Sequence, residues 1–418
     1  MKFQLFVLPT VPGTLEDRER LRPIGRNNER FQAMLEEVRT LCTMADDFGF
    51  DCFSTTEHHF HSEGYEASVA PLLLYADLAA RTKNIKFAPL ALVLPAHNPI
   101  RVAEEIAMLD HLTKGRVYAG FARGYQQRWV NILGQKVPVE AAPMDGSPTD
   151  KHNRDVHEEY IDLIYKAWDQ DLLTFKGQYI QVPFPYEEGV QGWPVTEWTR
   201  KYGVPGEIDE NGVLRGISVI PRPYQQPHPP AFQPFSVSES TIVHTAKHDI
   251  VPMILVANPP DFRRLAEVYR DTAAAAGRDL KLGQSIGAFR SVHFGDTEAE
   301  AVQLLDRTQF FGFNAYFAGF GFWEAFRFAK DAEKYPLDPF TPLPPSEWTL
   351  ERMRGVKYAL AGTVDQVKRD IDDLVTIHGA DGGELEWFGW FFDQGLLTLD
   401  EAKRQMELFA EHIMPAYR

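Results

Sequence analysis

Residues 49–60 read GFDCFSTTEHHF, and the fold class turns on them. Upstream, Glu29 to Phe48 carries apolar residues at helical spacing; the loop GFD then leads into a short strand, Cys52 to Thr55. One carboxylate and three imidazoles, Glu57, His58, His59 and His61, follow that strand directly. Working outward, Lys2 to Leu8 reads as a strand and Ala67 to Ala80 as a helix. Ile85 to Leu94 is apolar nearly throughout, as a strand buried on both faces should be. Pro99 opens the next helix, LTKGR closes it, and Val117 to Ala122 is a fourth strand. Strands each followed by a helix, or by a loop leading to one, make a parallel sheet with right-handed crossovers.

The alternation continues through the rest of the chain. Lys151 to Asp171 is helical and TFKGQYIQV a small hairpin. Pro230 to Val237 and Ile250 to Ala257 are strands, separated by a helix opening at SESTIVHTA. Asp261 to Ala276, Gln284 to Phe294 and Thr297 to Asp306 supply helix, strand and helix, and the strand Glu384 to Phe392 lies between helices Thr363 to His378 and Leu399 to Met414. Eight strands, most with a helical partner, predict an α/β fold, a (β/α)8 TIM barrel with long insertions, as a single domain over residues 1–418. The insertions fall near 183–228 and 309–348. The first, rich in Pro and Gly with a turn at DENG, is too long for structureless loop and should pack as a small subdomain or cover a site. The second combines FFGFNAYFAGFGFWEAFRF with YPLDPFTPLPPSEW, and its aromatics interleaved with glycine suit either a lid over an apolar ligand or exterior padding.

Composition narrows the function. A formal charge of −16 without a basic block disfavours nucleic acid and anionic membranes as partners. Nothing approaches the length of a membrane span, and the expected location is cytoplasmic. Cys42 and Cys52 read as reduced, packed thiols.

Catalytic residues of such barrels sit at the C-terminal ends of strands, where Glu57 and His58 fall. If the strand ran on, His59 and His61 would share one side by period two and His58 would face the other. An HxH pair can ligate metal, but other strand ends supply no convincing further ligands, so no metal is expected. Arg123, in GFARGYQQ after the fourth strand, suits an anion such as phosphate, with a surface ion pair as the alternative. Ser238 and Thr241 sit where a strand gives way to a helix, a ready anion site, with plain capping as the alternative.

Taken in order, MKFQLF, GFDCFSTTEHHF, RTKNIKFAPLALVLPAHNPIRVAEEIAMLDHLTKGRV, ARGY, IPRPYQQPHPP, SVSEST and LAGTVDQV carry a resemblance to the flavin-dependent monooxygenases of the bacterial luciferase-like family. It covers nearly the whole chain apart from the two insertions. What the resemblance implies is a barrel binding reduced FMN, with the phosphate held by Arg123 and the Ser238 and Thr241 region. His58 falls on the family's catalytic histidine, and Glu57 is its expected support. Phe6 falls on an aromatic near the ring or substrate, and Leu90 and Ala91 on a non-prolyl cis peptide beneath the flavin. Tyr125 and Val237 would give backbone contacts. Ala122 stands where some luciferases carry a cysteine next to the flavin.

The chemistry agrees with this, since reduced flavin reacts with oxygen and the protein must position the ring, exclude water and manage a proton. A histidine titrating near neutrality serves as that acid or base. Phe317, Phe320 and Phe322 are expected at an apolar or aromatic organic substrate. Without a GxGxxG fingerprint after a strand, the flavin should arrive reduced from a separate reductase. The family tends to dimerise, so a homodimer is expected. The competing expectations are an F420-dependent oxidoreductase of the same fold, a non-catalytic flavin binder and, last, a metal-dependent hydrolase.

Overall fold

The computed structural model describes residues 1–143, 146–336, 341–376 and 383–418. The described strands, in chain order, are β1 (Lys2–Val7), β2 (Cys52–Thr55), β3 (Lys86–Pro89), β4 (Leu92–Val93), β5 (Ala119–Ala122), β6 (Phe175–Lys176), β7 (Gln181–Val182), β8 (Ala231–Ser236), β9 (Ile250–Ile254), β10 (Gly287–Phe294), β11 (Ala359–Gly362) and β12 (Trp387–Asp393). Strands alternate with helices as in a (β/α)8 barrel with long insertions, which is the fold class of the chain. Two compact units are distinguished, Met1–Ala91 with Pro230–Arg418, and Leu92–Pro229.

In the first unit the sheet runs β3, β2, β1, β12, β10, β9, β8, with β11 added on β10. Every pairing among these strands is parallel. Buried runs such as FQLFV in β1 and WFGWFFD in β12 explain the arrangement, because strands covered on both faces carry apolar residues without alternation. The helix Asn28–Phe48 shows how the outer layer forms. Asn27 caps it by accepting from the Arg30 amide at 3.0 Å, and Met34, Val38, Leu41, Cys42 and Ala45 make its buried stripe. Gly49 ends it at φ +81, a conformation glycine adopts without the clash a Cβ would bring. Both cysteines are buried free thiols.

The expected strand Ile85–Leu94 is interrupted, with β3 ending at Pro89 and β4 beginning at Leu92, on either side of a cis Leu90–Ala91 peptide. An unbroken apolar run carries no mark of such a break. The strand β11 was not expected, because its sequence ALAG lacks the β-branched and aromatic residues that announce strands. The helix expected over Thr363–His378 spans Val364–Thr376, and its last two expected positions lie outside the described residues.

The second unit holds the parallel pair β4 and β5, in register Leu92 with Phe121, and the antiparallel hairpin of β6 and β7. The Pro/Gly-rich stretch is an ordered module. Bridges Leu173 to Ile217, Val190 to Leu214 and Ile208 to Leu214 tie it together, a helix Thr196–Tyr202 lies within it, and Asp209 nucleates the DENG turn by accepting from Asn211 and Val213. In the first unit, the aromatic insertion is a chain of short turns, Phe311–Ala315, Phe317–Phe320, Phe322–Phe326 and Ala329–Glu333; residues 337–340 lie outside the described set. Asp331 holds it by accepting from the Phe328 amide at 2.7 Å and by pairing with buried Arg352.

Two buried groups of the first unit set opposing responses to acid. Burial, helped by the Arg307 charge, pushes His293 down to about 3, and its ring lies 3.1 Å from the Thr308 hydroxyl. The unfolded chain binds that proton more readily, so His293 contributes stability above pH about 6.5 that drains away as pH falls towards 3. Burial pushes Asp393 up to about 6 although it accepts from the Leu396 and Leu397 amides. Its contribution is complete below pH about 4 and lost as pH rises through 6. Between pH 4 and 6 the two slopes oppose, each at most about 1.4 kcal/mol per pH unit. In urea titrations across that range, His293→Gln is expected to lose stability with rising pH and Asp393→Asn to gain it. Parallel curves for the two variants would refute the account.

Candidate active site

The site is built where β2 stops. The Thr55 amide donates to the Tyr75 hydroxyl at 2.8 Å, and that hydroxyl donates to the Ala88 carbonyl at 2.9 Å, so the ends of β2 and β3 are locked together. The Leu90 amide donates to the Thr55 carbonyl at 2.8 Å, which fixes the cis Leu90–Ala91 peptide against the same strand end; both residues are buried. After Thr55 the chain leaves extended geometry. The His58 amide donates to the Ser68 carbonyl, and Phe60 takes φ +64. Period-two alternation therefore ends before the histidines. His58 and His61, expected on opposite sides, bring their rings within 5.5 Å, while His59 Nε2 pairs with Glu57 Oε1 at 2.9 Å.

The carboxylate beside His58 is Glu66. Its Oε2 lies 2.6 Å from His58 Nδ1, and the Glu66 side chain is fully buried, as is nearly all of His58. Glu66 itself sits at φ +48, and its amide donates to the Thr10 hydroxyl at 3.3 Å while the Ala67 amide donates to the Pro9 carbonyl. Residues 9–10, after β1, thus carry Glu66 to His58. No local spacing signals this, since the partner is set by a loop folded back on another strand end.

His58, His61 and Glu66 are the group of three potential metal ligands found among the described residues, their ligand atoms within 4.8 Å of one another. It differs from the HxH pair considered from sequence. His61 Nδ1 lies 2.7 Å from the Tyr65 carbonyl, which only accepts, so that nitrogen carries a proton; Nε2 lies 3.2 Å from the Tyr316 hydroxyl. The set accordingly suits moving a proton. Burial also raises the Tyr65 phenol, whose hydroxyl donates to Gln394 Oε1 at 2.8 Å.

Aromatic rings continue from the imidazoles. Tyr316 lies 5.7 Å from His61 and 5.3 Å from Phe317; Phe317 is buried and reaches Phe391 and Phe322, and Phe320 touches Tyr316. Phe6, from β1, is fully buried against Phe289, Phe391 and Phe235. The structure therefore brings Phe6, Phe317 and Phe322 into one continuous cluster, with Phe320 at its edge. Each fully buried ring adds about 1.5–3 kcal/mol of hydrophobic stabilisation.

Ser238 caps the helix Glu239–Lys247, accepting from the Thr241 amide at 3.3 Å, and its hydroxyl lies 3.1 Å from that of Ser240 and 2.9 Å from that of Thr241. Val237 precedes it and is 36% exposed. In the second unit Arg123 follows β5 and pairs with Asp150. Burial lowers Arg123, and the neighbouring Arg154 charge lowers it further. Arg154 lies inside the helix Pro148–Asp169, where a charged side chain reads from sequence as solvated surface. Gly124, at φ +82, is obligatory, since a Cβ there would lie 2.5 Å from Val93 Cγ1 and 2.7 Å from Val130 Cγ2. The hydroxyl of Tyr125 accepts from Gln126 Nε2 at 3.1 Å.

The profile of the luciferase-like monooxygenases matches residues 1–381. The chain belongs to the luciferase-like monooxygenase family. Among curated relatives of this family member, 3,6-diketocamphane 1,6-monooxygenase of Pseudomonas putida is 26% identical over 263 residues, 62% of this chain and 64% of the relative. Among solved structures, the FMN complex of the oxygenating constituent of 3,6-diketocamphane monooxygenase from Pseudomonas putida is similar at a TM-score of 0.70 and 21% identity, covering 99% of this chain and 98% of that one. The F420-dependent tetrahydromethanopterin reductase of Methanopyrus kandleri is similar at a TM-score of 0.61 and 15% identity, covering 100% and 99%. At such identities the two structures speak for the fold alone.

Proposed function

We propose that this family member is a monooxygenase that uses reduced FMN and O2 to oxygenate a small apolar or aromatic organic substrate. The observation that carries the proposal is the buried His58–Glu66 contact at a strand end of the luciferase-like barrel. Reduced FMN, when bound, supplies the electron pair that activates oxygen. With Nδ1 turned to Glu66, His58 is left Nε2 as the atom that gives or takes a proton. Burial keeps water from competing for that proton. Glu57, paired with His59, keeps a supporting part. The hydroxyls of Ser238 and Thr241 at the start of the helix Glu239–Lys247 fit a phosphate, because a helix N-terminus presents N–H groups and the positive end of the dipole. Arg123 is assigned to the same phosphate, and the backbones of Leu90, Ala91, Tyr125 and Val237 to the flavin. Phe6, Phe317, Phe320 and Phe322 are assigned to the substrate.

Reduction by a separate flavin reductase, a homodimeric state and a cytoplasmic location complete the proposal. Among the described residues, no helix is long and apolar enough to cross a membrane. The F420 alternative keeps its place because a structural neighbour uses that cofactor. The test is stopped-flow absorbance after mixing protein and anaerobically reduced FMN with oxygenated buffer. The expected result is slowed flavin reoxidation, with a transient spectrum unlike reduced or oxidised flavin. Reoxidation at the rate of free FMN, together with FMN titrations that show no binding and F420 titrations that do, would replace FMN with the deazaflavin.

A further inference from the structure

Phe235 stands in β8 where the register with β9 shifts between Gln233 and Ser236, and its backbone takes φ +50. A bulky residue in the left-handed region is uncommon, and glycine would satisfy that backbone at less cost. The conformation aims the ring at the aromatic cluster. It stacks on Phe289 at 5.3 Å and 24°, meets Phe6 at 5.6 Å and Phe322 at 5.7 Å, and approaches Phe391 at 6.1 Å. Phe6, Phe289 and Phe391 are almost wholly buried, whereas Phe235 is half-buried, so it is the ring that covers the others. Phe289 has no room to retreat from a guest, since a Cβ at Gly389 would lie 2.6 Å from its Cδ1. Phe235 therefore covers the face of Phe289 on which it stacks.

From this geometry we infer that Phe235 is a specificity-determining residue that limits the apolar site to molecules smaller than a fused-ring system. The inference rests on the substrate-site assignment of the aromatic cluster. Its test is equilibrium dialysis of the full chain, loaded with FMN, against phenol and 2-naphthol. Phe235→Gly removes the ring and suits the backbone, and it is expected to improve the 2-naphthol to phenol affinity ratio at least tenfold. Phe235→Leu, which keeps bulk, should fall between the two and serves as the readout if the glycine variant does not fold. An unchanged ratio in both variants overturns the inference, as does failure of every form to bind either compound. Because dialysis needs no turnover, a protein that binds rings with the expected ratios but leaves flavin oxidation unaltered would overturn the monooxygenase reading alone.

Discussion

Replacing His58 with alanine is expected to lower kcat by about 10²- to 10⁴-fold, the range spanned by general acid–base groups. FMN affinity should remain nearly unchanged, because the phosphate and ring contacts are assigned elsewhere. Glu66→Gln keeps the volume of the partner but removes its charge, leaving a neutral amide within 2.6 Å of the ring nitrogen. A smaller fall in kcat with KM held constant is the expected result, since the amide still packs against the imidazole but no longer holds it by charge. Steady-state kinetics with a separately supplied flavin reductase, paired with FMN titration, checks both variants. A His58→Ala enzyme with wild-type kcat would remove the histidine from the chemistry, and one that lost FMN binding in proportion to activity would make it a cofactor contact.

The second large effect concerns stability. Arg352 and Asp331 are each less than a tenth exposed, and the pair joins the aromatic insertion to the helix Leu350–Gly355. Arg352 also reaches Glu347 and the Phe326 carbonyl, and lies 5.0 Å from the Phe328 ring. Asp331→Ala leaves the buried guanidinium only Glu347 and the Phe326 carbonyl and uncaps the Phe328 amide, and a loss of about 1.5–3 kcal/mol is expected. The double change Asp331→Leu with Arg352→Met removes both buried charges, leaves Glu347 to Lys334 and the Tyr335 hydroxyl, and should recover part of that loss, the uncapped Phe328 amide accounting for the rest. Urea unfolding of the three proteins decides the matter. A single variant within about 0.5 kcal/mol of wild type, the range of an ordinary surface substitution, would mean that the insertion is held by its rings alone.

Much of this architecture can be read from the chain before any coordinates. Helical spacing over Glu29–Phe48 and the apolar runs that become β1, β10 and β12 mark the barrel, because burial on two faces leaves a plain signature in side-chain type. The position of His58 at the end of β2 follows from the same pattern. Glu66 does not, since its approach depends on a left-handed backbone and on bonds to residues 9–10, distant in sequence. The break at Leu90–Ala91 was expected through family resemblance; hydrophobicity alone reads Ile85–Leu94 as one strand. Phe235 hides for another reason. A strand bulge changes which way a ring points without changing the residue, so AFQPFS reads the same with or without it. In the aromatic insertion the abundance of phenylalanine announced packing, but only tertiary contacts separate Phe317, in the middle of the cluster, from Phe320 at its margin.

The pairing of β1 with β12 sets a timetable for biosynthesis. Lys2 to Val7 lie beside Trp387 to Asp393, so β1 leaves the ribosome well before this neighbour has been made. At roughly 5–20 residues per second, the interval is about 20–80 s. Throughout it β1 can join β2 but keeps its other edge open, with Phe3, Leu5 and Phe6 available to any passing strand. A nascent chain in that condition invites chaperone binding, and yield in cells should respond to chaperone supply more than the stability of the finished protein would suggest.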